Sequence, residues 1–158
     1  MKRILQLSVV FLTAGCSSND NETLRAVFGT GNEHFQSVSI GDKHANVLRN
    51  VAATVITNNE DGVTTAFEKQ DVSVSVQYEF EDEELYSIQA DLFFPDTAVM
   101  NKFEQLLINR YNNKYGALSE NGGFFVWQEN NQVEFTLADE SIEFGQPKIS
   151  LTIYNFDY

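Results

Sequence analysis

Alternation of apolar and polar residues marks two adjacent strands near the middle of the chain. Residues 72–80 place Val72, Val74, Val76, Tyr78 and Phe80 between polar neighbours. This two-residue period is typical of a strand with one buried face. The acidic residues 81–84 are expected to form a tight turn into a second alternating run, so the pair is predicted to be an antiparallel hairpin. On that second strand the alternation assigns five residues to the core: Tyr86, Ile88, Ala90, Leu92 and Phe94.

Helical spacing follows the hairpin. Pro95-Asp96-Thr97 is a typical helix start, and Gly116 lies where a left-handed glycine commonly closes a helix. A shorter helix is predicted after Asp42. Strands are predicted at 64–69, 124–128, 132–137 and 148–156, with Ser141 to Phe144 as a short edge piece. The long helix is expected to bury five residues at helical spacing: Val99, Phe103, Leu106, Leu107 and Tyr111.

This order of elements predicts the fold class. A helix and three strands are followed by a second helix and three or four strands, an order consistent with tandem α-β-β-β units. Consecutive hairpins favour an antiparallel sheet, and helices that interrupt such hairpins collect on one side of it. The chain is therefore predicted to be α+β, with the helices packed on one face of an antiparallel sheet.

The first sixteen residues have the parts of an export signal. A basic start, Met1-Lys2-Arg3, precedes a mostly apolar run that is too short to span a bilayer, and small residues follow it. Thr13-Ala14-Gly15-Cys16 resembles the lipobox of bacterial lipoproteins, although an ordinary secretory signal beside an unrelated cysteine is the alternative. The resemblance implies lipidation at Cys16, and Ser17 implies sorting to the outer membrane, with the protein facing the periplasm.

The same stretch sets the expected organisation of the chain. Residues 1–15 are predicted to be a lipoprotein signal peptide, 16–36 a lipidated flexible tether, and 37–158 a single α+β domain. The whole chain has a net charge of −13. Removal of residues 1–15 leaves eight basic residues against 23 acidic ones, or about −15. Such a surface repels nucleic acid, so any partner steered by charge is expected to be basic.

Two short stretches carry a second resemblance. They are Ile40-Gly41-Asp42 and the hairpin from Tyr78-Glu79-Phe80 through Leu85-Tyr86-Ser87-Ile88. They resemble small envelope lipoproteins of the barrel-assembly type, which share a fold with secreted β-lactamase inhibitory proteins. That resemblance implies helices on one face of an antiparallel sheet. It also implies that a protein target binds to the other, concave face.

Motifs for catalysis or for a cofactor are missing from the sequence. The chain has no Gly-x-Ser-x-Gly elbow, phosphate loop or Ser-x-x-Lys, and its two histidines, His34 and His44, do not have metal-ligand spacing. We therefore expect surface roles for both histidines, and no catalytic residue, metal or cofactor. Carboxylates are abundant, so the residue types present do not exclude a catalytic Glu/Asp pair of a hydrolase.

Two candidate binding regions remain. One is the acidic hairpin tip, Glu81, Asp82, Glu83 and Glu84, which suits a cation or a basic partner unless it is simply a solvated turn. The other is the sheet face turned away from the helices, which is polar and largely uncharged, with aromatic residues of the kind enriched at interfaces. The candidate partner-binding residues on that face are Ser73, Ser75, Gln77, Ser87, Gln89, Asp91, Phe93, Thr136, Ser150, Thr152 and Tyr154.

Three functions are consistent with this pattern. The first is a non-enzymatic envelope lipoprotein that binds or scaffolds a protein through the open sheet face. The second is an acidic inhibitor or immunity protein that neutralises a basic enzyme such as a cell-wall hydrolase. The third is a carboxylate-based hydrolase, which requires two carboxylates to meet in a cleft.

Overall fold

A computed structural model describes residues 18–157 of the chain. The predicted signal peptide (1–15) and Cys16 lie outside these residues. No helix of the described part is long and apolar enough to cross a membrane.

The described chain forms one eight-stranded sheet in which every neighbouring pair of strands is antiparallel. The order across the sheet is β1-β2-β3-β4-β8-β7-β6-β5. The predicted α+β class with an antiparallel sheet is confirmed. The strands are β1 (Thr54–Asn58), β2 (Gly62–Lys69), β3 (Val72–Glu81), β4 (Glu84–Phe93), β5 (Ser119–Asn121), β6 (Phe124–Glu129), β7 (Val133–Asp139) and β8 (Lys148–Asn155).

The sheet consists of two halves that meet at the β4–β8 pair. Strands β1 to β4 follow one helix and β5 to β8 follow another, so each half holds four strands, where the sequence predicts three for the first half and three or four for the second. The sequence pattern does not predict the edge strands β1 and β5. Residues 18–157 form the helices α1 (Ser18–Phe28), α2 (His44–Asn50), α3 (Thr97–Tyr115) and α4 (Ser141–Phe144).

One hydrophobic core lies between the sheet and helices α1, α2 and α3. Alternate residues of β3, β4, β7 and β8 are buried in it, together with Val47 of α2. Helix α3 begins as predicted, because the Asp96 carboxylate accepts a hydrogen bond from the Val99 amide at 2.9 Å. It ends at Gly116, whose φ of +95° favours glycine. Its buried residues are Met100, Phe103, Leu107, Ile108 and Tyr111, whereas Val99 is 39% exposed.

The prediction that residues 16–36 form a flexible tether is wrong for the second half of that segment. Val27 and Phe28 of α1 are buried, and so are Phe35 and Val38 beyond it. The rings of Phe28 and Phe35 meet edge to face at 5.2 Å, which joins the segment to itself and to the core. The fold therefore starts at α1, well before residue 37.

Gly29 makes the turn after α1 possible. Its φ is +79°, and a Cβ at this position would lie 2.7 Å from the carbonyl oxygen of Gln36. The Gln36 amide in turn donates to the Phe28 carbonyl at 2.9 Å. The chain thus folds back directly onto the end of α1, which only glycine allows.

A β-bulge changes the alternation at the start of β4. The register shifts between Glu79 and Phe80, so that Phe80 faces Leu85 while Glu79 faces Ser87. Leu85 is completely buried, and Tyr86 is half-buried with its hydroxyl on Glu79. The prediction that Tyr86 faces the core is therefore wrong, because the extra residue moves Leu85 into that position.

Candidate functional site

The candidate site is the face of the sheet opposite helices α1, α2 and α3, called the open face here. Register places all eleven predicted partner-binding residues on it, since Gln89 pairs with Gln77 on one side and with Thr152 on the other. The open face consists of Thr64, Ala66, Glu68, Ser73, Ser75, Gln77, Glu79, Tyr86, Ser87, Gln89, Asp91, Phe93, Phe124, Val126, Gln128, Glu134, Thr136, Ala138, Lys148, Ser150, Thr152 and Tyr154.

Exposure divides the eleven predicted residues. Ser73, Gln77 and Gln89 are exposed, while Ser75, Thr136, Thr152 and Tyr154 are half-buried. Ser87 and Ser150 are buried, at 8% and 6% exposure. The two buried serines therefore offer little surface to a partner, and the accessible part of the prediction is the remainder.

The end of the open face near α4 is closed by a buried lysine that sequence reasoning missed. Lys148 is 1% exposed, and its ammonium lies 2.7 Å from Glu140 and 3.2 Å from Asp91. Ser150 adds contacts of 2.6 Å to Asp91 and 2.7 Å to Glu140. A charge buried this deeply is tolerated because two carboxylates surround it.

Aromatic rings complete the surroundings of Lys148. The ammonium lies 3.4 Å from the ring centroid of Phe144 and 5.7 Å from that of Phe93. The segment Ser141 to Phe144, predicted as an edge piece of the sheet, is instead the one-turn helix α4, and it carries Phe144 to this position. We call the group Lys148, Asp91, Glu140, Phe93 and Phe144 the lysine cluster. Asp91 and Phe93, both predicted to bind a partner, belong to this internal network.

The other end of the open face carries two pairs of a tyrosine and a carboxylate. The Tyr86 hydroxyl donates to Glu79 at 3.2 Å, and the Tyr154 hydroxyl donates to Glu134 at 2.7 Å. The hydrogen bond to Glu134 raises the pKa of Tyr154, and burial followed by the charge of Glu79 raises the pKa of Tyr86. Both hydroxyls therefore stay protonated at neutral pH and hold the carboxylates in place.

A groove of about 530 Å³ lies between these tyrosines. Tyr86, Tyr154 and Phe156 form its aromatic walls, and Ser87, Thr152 and Asn155 add polar groups. Glu81 stands at its rim, and Phe156 is 40% exposed. Three of the predicted binding residues, Ser87, Thr152 and Tyr154, line this groove, which we call the tyrosine groove.

The acidic hairpin tip forms a separate cleft of about 1040 Å³ against α2. Asp82 and Glu83 make the tight turn with φ values of +50° and +66°, and Glu84 pairs with Lys43 at 2.9 Å. The tip is thus fastened to the start of α2. Within the part of the chain that the structure describes, no group of three or more His, Cys, Asp or Glu side chains has an arrangement that could hold a metal ion.

The two histidines differ from each other in environment. His44 is partly exposed, with its ring edge to face on Phe80 at 4.6 Å, and it lines the acidic cleft. His34 is not a surface residue as expected, because its side chain is 11% exposed and lies between Glu129 and Phe135. Its Nδ1 accepts a hydrogen bond from the Ile40 amide at 3.0 Å, so His34 has a structural role on the helix side of the sheet.

Comparisons with known proteins identify no relative. A scan against models of protein families, a search of curated proteins and a search of solved structures each find no match to this chain.

Proposed function

We propose that this protein is a non-enzymatic envelope lipoprotein that binds a protein partner through the open face of its sheet. The supporting observation is the composition of that face. Its accessible part carries the carboxylates Glu79 and Glu134 beside tyrosine and amide side chains. Lys148 is the one basic residue among those that define the face, and it is 1% exposed. Tyr86 and Tyr154 on this face belong to a residue type that is enriched at protein interfaces.

The charge of the face indicates the chemistry of the partner. Glu68 and Glu79 lie on the open face, and the acidic cleft adjoins it through Glu81. A surface with one sign of charge accelerates encounters with a partner of the opposite sign and repels others of its own sign. The proposed partner is therefore a basic protein, and Cys16 is proposed to hold the complex at the outer membrane on its periplasmic side.

An acidic inhibitor or immunity protein that neutralises a basic enzyme is the second candidate, and it would use the same face. Its distinguishing requirement is that the partner loses a catalytic activity in the complex. The hydrolase alternative receives no support from the carboxylates that meet at the lysine cluster. Asp91 and Glu140 are both bound to Lys148 and Ser150, so neither is presented to a substrate.

The test is capture from an envelope extract, followed by reconstitution of the complex from purified proteins. The whole chain and its Gln89→Lys variant are compared, because Gln89 is exposed at the centre of the face. We expect one basic protein to be captured by the first and lost with the second, and to bind more slowly as salt is raised. Equal binding by both proteins after reconstitution would contradict the proposal.

A further inference from the structure

Strands β4 and β8 show how this face surrounds a cation. At the lysine cluster, the ammonium of Lys148 is held between two carboxylates and the ring of Phe144, with Phe93 farther away. Carboxylates neutralise the charge, and the faces of the rings attract it through their quadrupoles. The arrangement is a socket of aromatic and acidic groups filled by a basic side chain of the same chain.

The opposite end of the same strand pair has matching components. Gln89 and Thr152 are paired at the centre. Phe93 lies four residues after Gln89, and Phe156 lies four residues after Thr152. Likewise, Ser87 lies two residues before Gln89, and Ser150 lies two residues before Thr152. The tyrosine groove therefore repeats one aromatic and one hydroxyl position found around Lys148, while Asp91 corresponds to Tyr154.

The two ends differ in their cation. At the α4 end, Lys148 occupies the space between the rings and the carboxylates. Among the residues that line the tyrosine groove, Glu81 is the charged one and no side chain is basic. Glu79 and Glu134 lie next to the groove through their hydrogen bonds to its tyrosines. The groove thus has acidic and aromatic groups around a cavity without a basic residue of its own.

We propose that the tyrosine groove receives a basic side chain of the protein partner, with arginine preferred to lysine. This inference rests on the proposed function and adds where the partner's positive charge binds. A guanidinium is planar, so it stacks on Tyr154 or Phe156 while an N–H group reaches Oε2 of Glu134, an atom that also accepts a hydrogen bond from Gln128 at 3.1 Å. The charge of Glu81 at the rim favours entry of the same group.

The test uses a probe of known chemistry rather than the partner. The whole chain is titrated with the peptide acetyl-Gly-Arg-Gly-amide, and the ring signals of Tyr86, Tyr154 and Phe156 are followed by NMR. The matched control is the citrulline peptide, which has the same shape without the charge. We expect the arginine peptide to bind about tenfold more tightly, and the groove signals to shift while that of Phe124 does not.

Two variants with the same chemical change locate the site. Glu134→Gln removes the carboxylate beside the groove and is expected to weaken arginine binding severalfold. Glu68→Gln makes the same change elsewhere on the open face. Glu68 pairs with Ser73, which in turn pairs with Phe93 of the lysine cluster, so this variant is expected to have no effect on arginine binding. Equal binding of both peptides, or shifts confined to His44 and Phe80 in the acidic cleft, would overturn the inference.

A further comparison separates this inference from the proposed function. Ser75 lies on the open face outside the groove, so Ser75→Lys should abolish partner capture without changing peptide binding. If the arginine peptide fails to bind and Ser75→Lys still abolishes capture, the groove inference is wrong and the proposed function stands. If the peptide binds and both Ser75→Lys and Gln89→Lys leave capture intact, the proposed function is wrong.

Discussion

The ammonium of Lys148 lies 2.7 Å from the Oε2 atom of Glu140, and Lys148 is only 1% exposed. Glu140 follows the last residue of β7 at the N-terminal cap position of α4, and Lys148 begins β8, so the ion pair closes the turn that carries α4. It therefore fixes one end of the open face.

Lys148→Met tests the importance of that pair for stability. The change leaves Asp91 and Glu140 together without their cation, and the free energy of unfolding should fall by about 3 kcal/mol. The matched control is Lys43→Met, which breaks the exposed pair with Glu84 and should cost less than about 1 kcal/mol. Urea denaturation measures both. Similar losses in the two variants would contradict a special role for the buried pair.

The β-bulge at the start of β4 gives a second prediction. Leu85→Ala should lower the free energy of unfolding by about 2–5 kcal/mol, since Leu85 is completely buried. Tyr86→Ala removes a half-buried ring and its hydrogen bond to Glu79, and should cost about 1 kcal/mol or less. Thermal and urea denaturation compare them. A larger loss at Tyr86 than at Leu85 would restore the simple alternation that the sequence indicates.

The bulge in β4 and the buried Lys148 show what the sequence could and could not predict. The period of β3 and the Asp96 cap of α3 are local signals, and both predict the observed structure. The bulge depends on how β3 and β4 pair, and nothing in residues 84–93 alone announces it. Lys148 is buried because Asp91 and Glu140, far apart in sequence, meet around it, which a reading of one strand cannot reveal.

The N-terminal segment and the edge strand were missed for related reasons. Phe28, Phe35 and Val38 are scattered among polar residues without a period, and their burial requires α3 and the sheet. Val55 and Ile56 of β1 are 43% and 61% exposed, so this strand has no buried face to produce an alternation. The open face itself was predictable, because it follows from the polar positions of strands whose apolar positions were clear.

His34 predicts a dependence of stability on pH. Burial of the ring lowers its pKa below the ordinary 6.5, and this outweighs Glu129 and Asp42, which favour protonation, while Lys114 opposes it. The unfolded chain therefore takes up the proton first. The stabilisation is fully present above pH 6.5 and is lost as the pH falls toward the lower pKa of the folded state.

Protonation would also place a proton on Nδ1, which accepts the Ile40 amide hydrogen bond. We expect the difference in unfolding free energy between the wild type and His34→Gln to shrink as the pH falls from 7.5 to 5. Urea denaturation at several pH values measures it, and carboxylates that titrate in both proteins cancel. A difference that grows toward pH 5 would mean that Glu129 dominates and that the pKa of His34 is raised.

The proposed anchor is tested at Cys16. Cys16→Ser should abolish both palmitate labelling and retention in the membrane fraction, because the thiol is the proposed acylation site and stable anchoring requires more than one chain. Ser17→Ala, one residue away, keeps the thiol and should still be labelled. A Cys16→Ser protein that incorporates palmitate and sediments with membranes would rule out the lipoprotein proposal.

The open face and the core alternate along the same strands, which gives paired variants with opposite expectations. Val74→Lys buries an unpaired charge and should unfold the domain. Ser75→Lys, on the next residue, lies on the half-buried open face and should change the free energy of unfolding by less than about 1 kcal/mol. Thermal melts distinguish them. Unfolding by Ser75→Lys with a stable Val74→Lys protein would mean that the register is displaced by one residue.

The central claim is that the open face binds the partner, and the most direct measurement is the affinity of the purified partner for folded variants of that face. Thr152→Lys and Gln89→Lys place a charge at the centre of the face, and Gln105→Lys places the same charge on the exposed surface of α3. We predict at least a tenfold loss of affinity, about 1.4 kcal/mol, for the first two and none for Gln105→Lys. Unchanged affinity of both face variants, with thermal melts like that of the wild type, would contradict the claim.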